Sequence, residues 1–223
     1  MTPRRTTLPC LTFLEFHGAS EYLEELVARI DLPALCQITI RLFYDILFEI
    51  PQFCRFIPRL NVLRSPTWVF VTLSTESVSV FFVQEGKPSN ENYFLETSCR
   101  RLDWQLSFVT QILNQLSPLL SSVRSLSIKK GYDFLTGEED VDPIQWLELF
   151  QSFANVTQIH VWVKKLVPGI VQSLVADDMT IEVLPELTKL RLSGYHKSPS
   201  VAKAAEQFIA TRRLSGRTVS LLN

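Results

Sequence analysis

Glycine is scarce in this chain: seven among 223 residues. That leaves little material for backbone cradles around phosphates, and neither a glycine-rich phosphate loop nor a Gly-x-Ser-x-Gly nucleophile turn occurs. Histidine is scarcer still. His17, His160 and His196 are the full set, and no His-Glu-x-x-His or comparable spacing groups them as metal ligands. Cys10, Cys36, Cys54 and Cys99 form no Cys-x-x-Cys pair; they are expected as thiols, mostly buried, in a reducing compartment, cytoplasmic or nuclear. No apolar run approaches the roughly 20 residues that a membrane-spanning helix needs. Residues 1–7 carry Arg4 and Arg5 but lead into no apolar segment of the secretory kind. With 22 basic and 23 acidic residues the formal net charge is −1, so no global field draws nucleic acid or an anionic membrane to the chain. These absences argue against an enzyme, a cofactor carrier or a metal protein. They leave a folded chain, 46% hydrophobic, able to bury a large core.

What the chain does have is a recurring spacing, Leu-x-x-Leu-x-x-Leu-x-Leu, with conservative exchanges. Leu8, Leu11, Leu14 and Phe16 form one copy, Leu32, Leu35, Ile38 and Ile40 another, and Leu184, Leu187, Leu190 and Leu192 a third. Looser copies run through Leu120, Val123, Leu126 and Ile128, and through Phe153, Val156, Ile159 and Val161. Apart from one long gap between the second and third starts, the copies at residues 8, 32, 120, 153 and 184 lie 24 to 33 residues apart. That interval suits a unit of one short strand and one helix, stacked repeatedly. The expected fold class is therefore α/β: a leucine-rich-repeat-like solenoid of irregular repeats. No asparagine follows the strand leucines to form a polar ladder, so apolar stacking is expected to hold the coil.

Between copies the chain reads as helix. Tyr22, Leu23, Leu26, Val27 and Ile30 recur at helical spacing after Ser20. Asp142-Pro143-Ile144-Gln145 is a helix start, with an acidic cap and proline in the first turn. Ser198-Pro199 opens a helix to about Leu214, closed by Arg212, Arg213 and Gly216. Asp103 begins another, over residues 104–116. The long gap breaks the rhythm. Residues 57–63 read as a degenerate copy, and residues 68–73 and 78–83 as a β-hairpin, with a further strand over 93–99. The hairpin is expected as an insertion at about 64–99 in a single domain spanning 8–223, after a disordered tail over 1–7. Phe70, Phe81 and Phe82 are read as closing its core, the alternative being an exposed edge that another chain extends. The acidic stretch with Asp133, Glu138, Glu139 and Asp140 is expected to be a solvated loop, since it lacks the calcium-loop spacing.

Several segments together resemble a known family. Leu8-Pro9-Cys10-Leu11-Thr12, residues 20–31 and Leu32-Pro33-Ala34-Leu35 look like the repeat region of fungal F-box proteins of the basidiomycete type. Residues 98–106, 145–150 and 208–217 resemble further landmarks of that group, in the same order. The resemblance implies the C-terminal, leucine-rich-repeat-like region of such a protein, which selects substrate for a ubiquitin ligase. It departs from the family in one respect: residues 1–7 are too few for an F-box, so the ligase adaptor is an expected partner only if an F-box lies upstream. The alternative is a free-standing repeat scaffold with no ligase role.

Residues flanking the inward leucines of each strand should face the concave side. The C-terminal half of that column is basic. Arg41, Lys129, His160, Trp162, Lys189 and Arg191 are the candidate partner-binding residues, with the last five forming a shallow groove for an acidic or phosphorylated protein segment. No catalytic, metal or cofactor residues are assigned.

Overall fold

The computed structural model describes residues 5–43, 49–60, 65–84, 93–131, 142–175, 183–193 and 198–222. The strands are β1 (Thr6–Thr7), β2 (Phe13–Gly18), β3 (Ile30–Asp31), β4 (Gln37–Leu42), β5 (Trp68–Leu73), β6 (Ser77–Val83), β7 (Tyr93–Ser98), β8 (Ser125–Lys130), β9 (Gln158–Val161), β10 (Lys189–Leu192) and β11 (Ser220–Leu222). The helices are α1 (Ser20–Arg29), α2 (Pro51–Phe56), α3 (Leu102–Gln115), α4 (Ser117–Leu120), α5 (Pro143–Gln151), α6 (Val167–Val175) and α7 (Pro199–Leu214). Nine strands form one sheet in the order β11-β10-β9-β8-β5-β6-β7-β4-β2, and β1 pairs with β3 separately. Thr6 and Thr7, within the segment expected as a tail, thus lie in a strand beside Ile30 and Asp31.

The α/β class and the alternation of strand and helix stand, but the solenoid expectation is overturned. A solenoid adds each strand beside the one before it, always in the same direction. Here β4 is followed in the sheet by β7, β6 and β5, against chain order, and β6 runs antiparallel to both its neighbours. The hairpin read as an insertion is instead the middle of a mixed nine-stranded sheet, joining β4 through β7 to β8 through β5. It can sit there because Val69, Val71 and Leu73, and Val78, Val80 and Phe82, alternate as strictly as the leucines of the parallel strands and are just as buried. Its turn is tight, with the Ser74 amide donating to the Ser77 carbonyl at 2.9 Å and the Ser74 hydroxyl accepting from the Ser77 amide at 3.1 Å. Residues 57–60, read as part of a degenerate copy, are not a strand either. Ile57–Arg59 continues α2 as a 3-10 turn, and 61–64 lie outside the described residues.

One face of the sheet is buried. Ile38, Ile40, Val71, Val80, Leu126, Ile128, Ile159 and Leu190 pack in a single apolar cluster with Leu23 and Val27 of α1, Phe56 of α2, Leu106 and Val109 of α3, Trp146 and Phe150 of α5, Ile170 of α6, and Phe208 of α7. Burial of this kind, about 25 cal/mol per Å2 of apolar surface, drives the fold. The helices form one layer, α3 against α5, α5 against α6 and α6 against α7. The starts predicted for α5 and α7 hold. Asp142 accepts the Ile144 amide at 2.9 Å, and Gly216, at φ +76°, ends α7. Arg212, expected as a partner of the helix dipole, is buried. It donates to the Val183 carbonyl and stacks on Phe208.

Successive parallel strands are also tied at their starts. The Thr67 carbonyl accepts from the amides of Arg124 and Ser125, Arg124 from Thr157 and Gln158, and Thr157 from Thr188 and Lys189. The Thr157 and Thr188 hydroxyls donate along the same series, each at 3.1 Å. This staircase of main-chain carbonyls does the spacing work that an asparagine ladder would otherwise do.

Candidate functional site

The opposite face of the sheet carries no helix among the described residues. Strand alternation sends every second side chain there, and the registers place them in rows across the strands. One row runs Glu15, Thr39, Phe94, Phe81, Phe70, Ser127, His160 and Arg191. A second runs His17, Arg41, Glu96, Ser79, Thr72 and Lys129. A third includes Trp68, Ser125, Gln158 and Lys189. The alternation read from the sequence thus put Arg41, Lys129, His160, Lys189 and Arg191 on a single face of one sheet, although that sheet is not a coil, and Trp162 lies just past β9, stacked on His160.

The six do not form one site. Arg41 on β4 is separated from Lys129 on β8 by four strand spacings, about 19 Å. It is also already neutralised. Its guanidinium lies 3.1 Å from Glu96 and 3.8 Å from Glu15, and His17 Nε2 lies 2.9 Å from Glu15. Ser77 donates to the other Glu96 oxygen at 2.8 Å. That end of the face is a closed, exposed ion-pair network.

Lys129, His160, Trp162, Lys189 and Arg191 do converge, on the neighbouring strands β8, β9 and β10 and the residue just past β9. The His160 and Trp162 rings stack with centroids 3.8 Å apart, leaving Trp162 half exposed at 51%. Lys129 Nζ sits 3.9 Å from the centre of the Phe70 ring, a cation-π contact. Burial lowers the Lys129 ammonium from its ordinary value. Burial, then the charges of Arg191 and Lys129, push the His160 imidazole down to about 4, so at neutral pH it is an uncharged donor and acceptor. Lys189 and Arg191 have no carboxylate within ion-pairing distance among the described residues. Between β5 and β9 the floor is made of small side chains. Ser125 and Ser127 are only 3% and 1% exposed although they point to the uncovered face. Trp68 and Phe70 flank them on one side, Gln158 and His160 on the other, and Gln158 donates to the Ser125 hydroxyl. The result is a trough with aromatic and cationic walls.

The aromatic wall was missed from the sequence. Trp68 and Phe70 stack with centroids 5.7 Å apart, and the Phe81 and Phe94 rings meet tilted at 4.6 Å. Of the three phenylalanines read as core, only Phe82 is buried; Phe70 and Phe81 face outward. The signal was present in the alternation of residues 68–73 with Trp68, Phe70 and Thr72 in phase. It could be used only by treating the hairpin as part of the same sheet.

Elsewhere, a cleft of about 360 Å3 between α3 and α5 is lined by Ser107, Thr110, Gln111, Asn114, Glu148 and Gln151. These hydroxyls, amides and one carboxylate pair no nucleophile with a base. Among the described residues no cluster of three or more His, Cys, Asp or Glu is placed to hold a metal ion, and no helix is long and apolar enough to cross a membrane. His196, Asp133, Glu138, Glu139 and Asp140 lie outside the described residues. The cysteines are all thiols, but Cys10 and Cys36 are exposed, against the expectation of burial. Comparison with known proteins gives no relatives: no family model, curated protein or solved structure matches the chain.

Proposed function

We propose that the chain is a protein-protein interaction module that binds an acidic or phosphorylated segment of its partner on the uncovered face of the sheet. The observation that carries this reading is the convergence of Lys129, His160, Trp162, Lys189 and Arg191 on consecutive strands, without a carboxylate to neutralise Lys189 or Arg191 among the described residues. A half-exposed Trp beside Arg and Lys is the composition of an interface hot spot, and Arg suits carboxylate or phosphate groups. Nothing in the arrangement pairs a nucleophile with a base, so the chain is read as a binder, not an enzyme, with no cofactor, nucleic acid or membrane among its partners. The thiols fit a reducing compartment, cytoplasm or nucleus.

The resemblance to fungal F-box proteins supports a narrower reading, the substrate-recognition region of an F-box-type ubiquitin ligase subunit. The ligase adaptor would be a second partner if an F-box lies upstream in the full product. A free-standing scaffold is the alternative, and the reading frame upstream of Met1 separates the two.

Fluorescence anisotropy with a labelled ten-residue Asp/Glu-rich peptide and its Asn/Gln counterpart tests the binding reading. The acidic peptide should bind at least tenfold more tightly, weaken as salt rises, and lose that advantage in the Trp162→Ala, Arg191→Glu double variant. Equal affinity for the two peptides, or an unchanged double variant, would remove the proposal.

A further inference from the structure

Trp68, Phe70, Phe81 and Phe94 adjoin the basic trough on the same face, and Phe81, Phe70, Ser127 and His160 lie in one row of paired residues. Half-buried rings next to cations with no ion-pair partner among the described residues are two halves of a composite surface. At the far end the Glu15–Arg41–Glu96 network is satisfied internally, and its carboxylates would repel an anion placed there. An anionic group therefore has one favoured end of the face, and an apolar group the middle.

The cations also bear on which anion. Lys129 on β8 and Lys189 and Arg191 on β10 bring three positive charges to the strands either side of β9, more than one carboxylate neutralises. A phosphorylated side chain carries about −1.5 to −2 charge and three acceptor oxygens, enough to receive Lys129, Arg191 and a His160 N–H together.

We propose that the partner segment is an extended stretch lying across the strands, with an apolar side chain on Phe81 and Phe94 and a phosphorylated residue about four positions away among Lys129, His160 and Arg191. This deepens the protein-binding reading and rests on it. The separation follows from the sheet: from Phe81 on β6 to His160 on β9 is three strand spacings, about 14 Å, and an extended chain covers about 3.3 Å per residue. Ser127, between Phe70 and His160, is covered by its neighbours, so the intervening backbone crosses over the Phe70 and His160 rings.

The test uses the full chain and labelled Ser/Ala peptides carrying one leucine and one phosphoserine separated by one, four or seven positions. A separation of four should bind at least tenfold more tightly than a separation of one, and more tightly than the same peptide without leucine. Phe81→Thr should abolish the leucine-dependent gain while preserving the phosphate-dependent gain; Lys129→Gln with Arg191→Gln should do the reverse. Equal binding at separations of one and four, or equal binding when glutamate replaces phosphoserine, overturns this inference but leaves the acidic-segment reading intact. Absence of any gain from phosphate or acid overturns both. The spacing series on the unmutated chain decides the matter even where Phe81→Thr lowers stability, which thermal melts followed by circular dichroism would reveal.

Discussion

His160 shows how the face shapes the chemistry of a single group. Its ring is held down to about 4, first by burial and then by Arg191 and Lys129, against an ordinary value of 6.5 in the unfolded chain. Between those values the unfolded state binds more protons than the folded one, so stability rises with pH there. The contribution is fully present above about 6.5 and is lost as pH falls toward 4. In urea melts at pH 4, 5, 6 and 7, His160→Gln should flatten the slope across this window; a slope identical to that of the parent chain would exclude the assignment. The thiols offer a second check. Burial, aided by the Glu24 charge, pushes Cys54 up to about 11, whereas Cys10 and Cys36 are exposed. A disulfide reagent at pH 8 should therefore titrate Cys10 and Cys36 rapidly and Cys54 slowly, because the thiolate is the reacting form. Equal rates at Cys54 and Cys10, resolved by mass spectrometry, would contradict that order. Gly216 is a third case. Its φ of +76° lies in the left-handed region, and a methyl group there would meet nothing within 4 Å. Gly216→Ala should thus cost only the backbone term, about 1 kcal/mol, with Gly216→Asn milder.

At the scale of elements, legibility followed where the stabilising groups sit. The α5 and α7 boundaries could be read because Asp142, the prolines and Gly216 are local to the ends they shape. The extents of β5, β6 and β7 could be read because alternation is local too. The α2 helix could not. Its first amides, from Gln52 and Phe53, donate to the Glu24 carboxylate of α1 at 2.6 and 2.8 Å, and the Ile50 amide donates to Gln115 of α3 at 3.0 Å. A helix of six residues capped by side chains 28 and 65 residues away leaves Pro51 as a weak start signal in its own sequence. The apolar positions of residues 57–63 were then free to be taken for a repeat. Glu24→Ala should leave the Gln52 and Phe53 amides unpaired and cost about 1–3 kcal/mol in denaturant unfolding. Glu24→Gln, which keeps an acceptor, should cost less; equal losses would argue against the capping role.

For the whole molecule, periodicity identifies which side chains point inward but is silent on strand direction and neighbour order. That is why the candidate residues fell on a single face while the solenoid did not survive, and why Arg41 was grouped with cations about 29 Å from it at the extreme, six strand spacings along the sheet. The central position of β6 has a mechanical implication. Every interstrand path from β4 to β8 passes through it, so truncating its core should weaken both flanks together. Val80→Ala, at a fully buried position, should cost about 2 kcal/mol, and tryptophan fluorescence and far-ultraviolet circular dichroism should report one coincident transition. Separate transitions would mean that the two flanks fold as independent units.

Along β8, Leu126 and Ile128 anchor the framework, while Ser125, Ser127 and Lys129 between them look outward. The same division holds on β9 and β10, where Ile159, Val161, Leu190 and Leu192 are hidden and Gln158, His160, Lys189 and Arg191 are not. Two vocabularies are interleaved in one stretch of letters, one that builds the core and one that faces away from it. The exposed members of the second set, Lys189 and Arg191, can therefore change without disturbing the first.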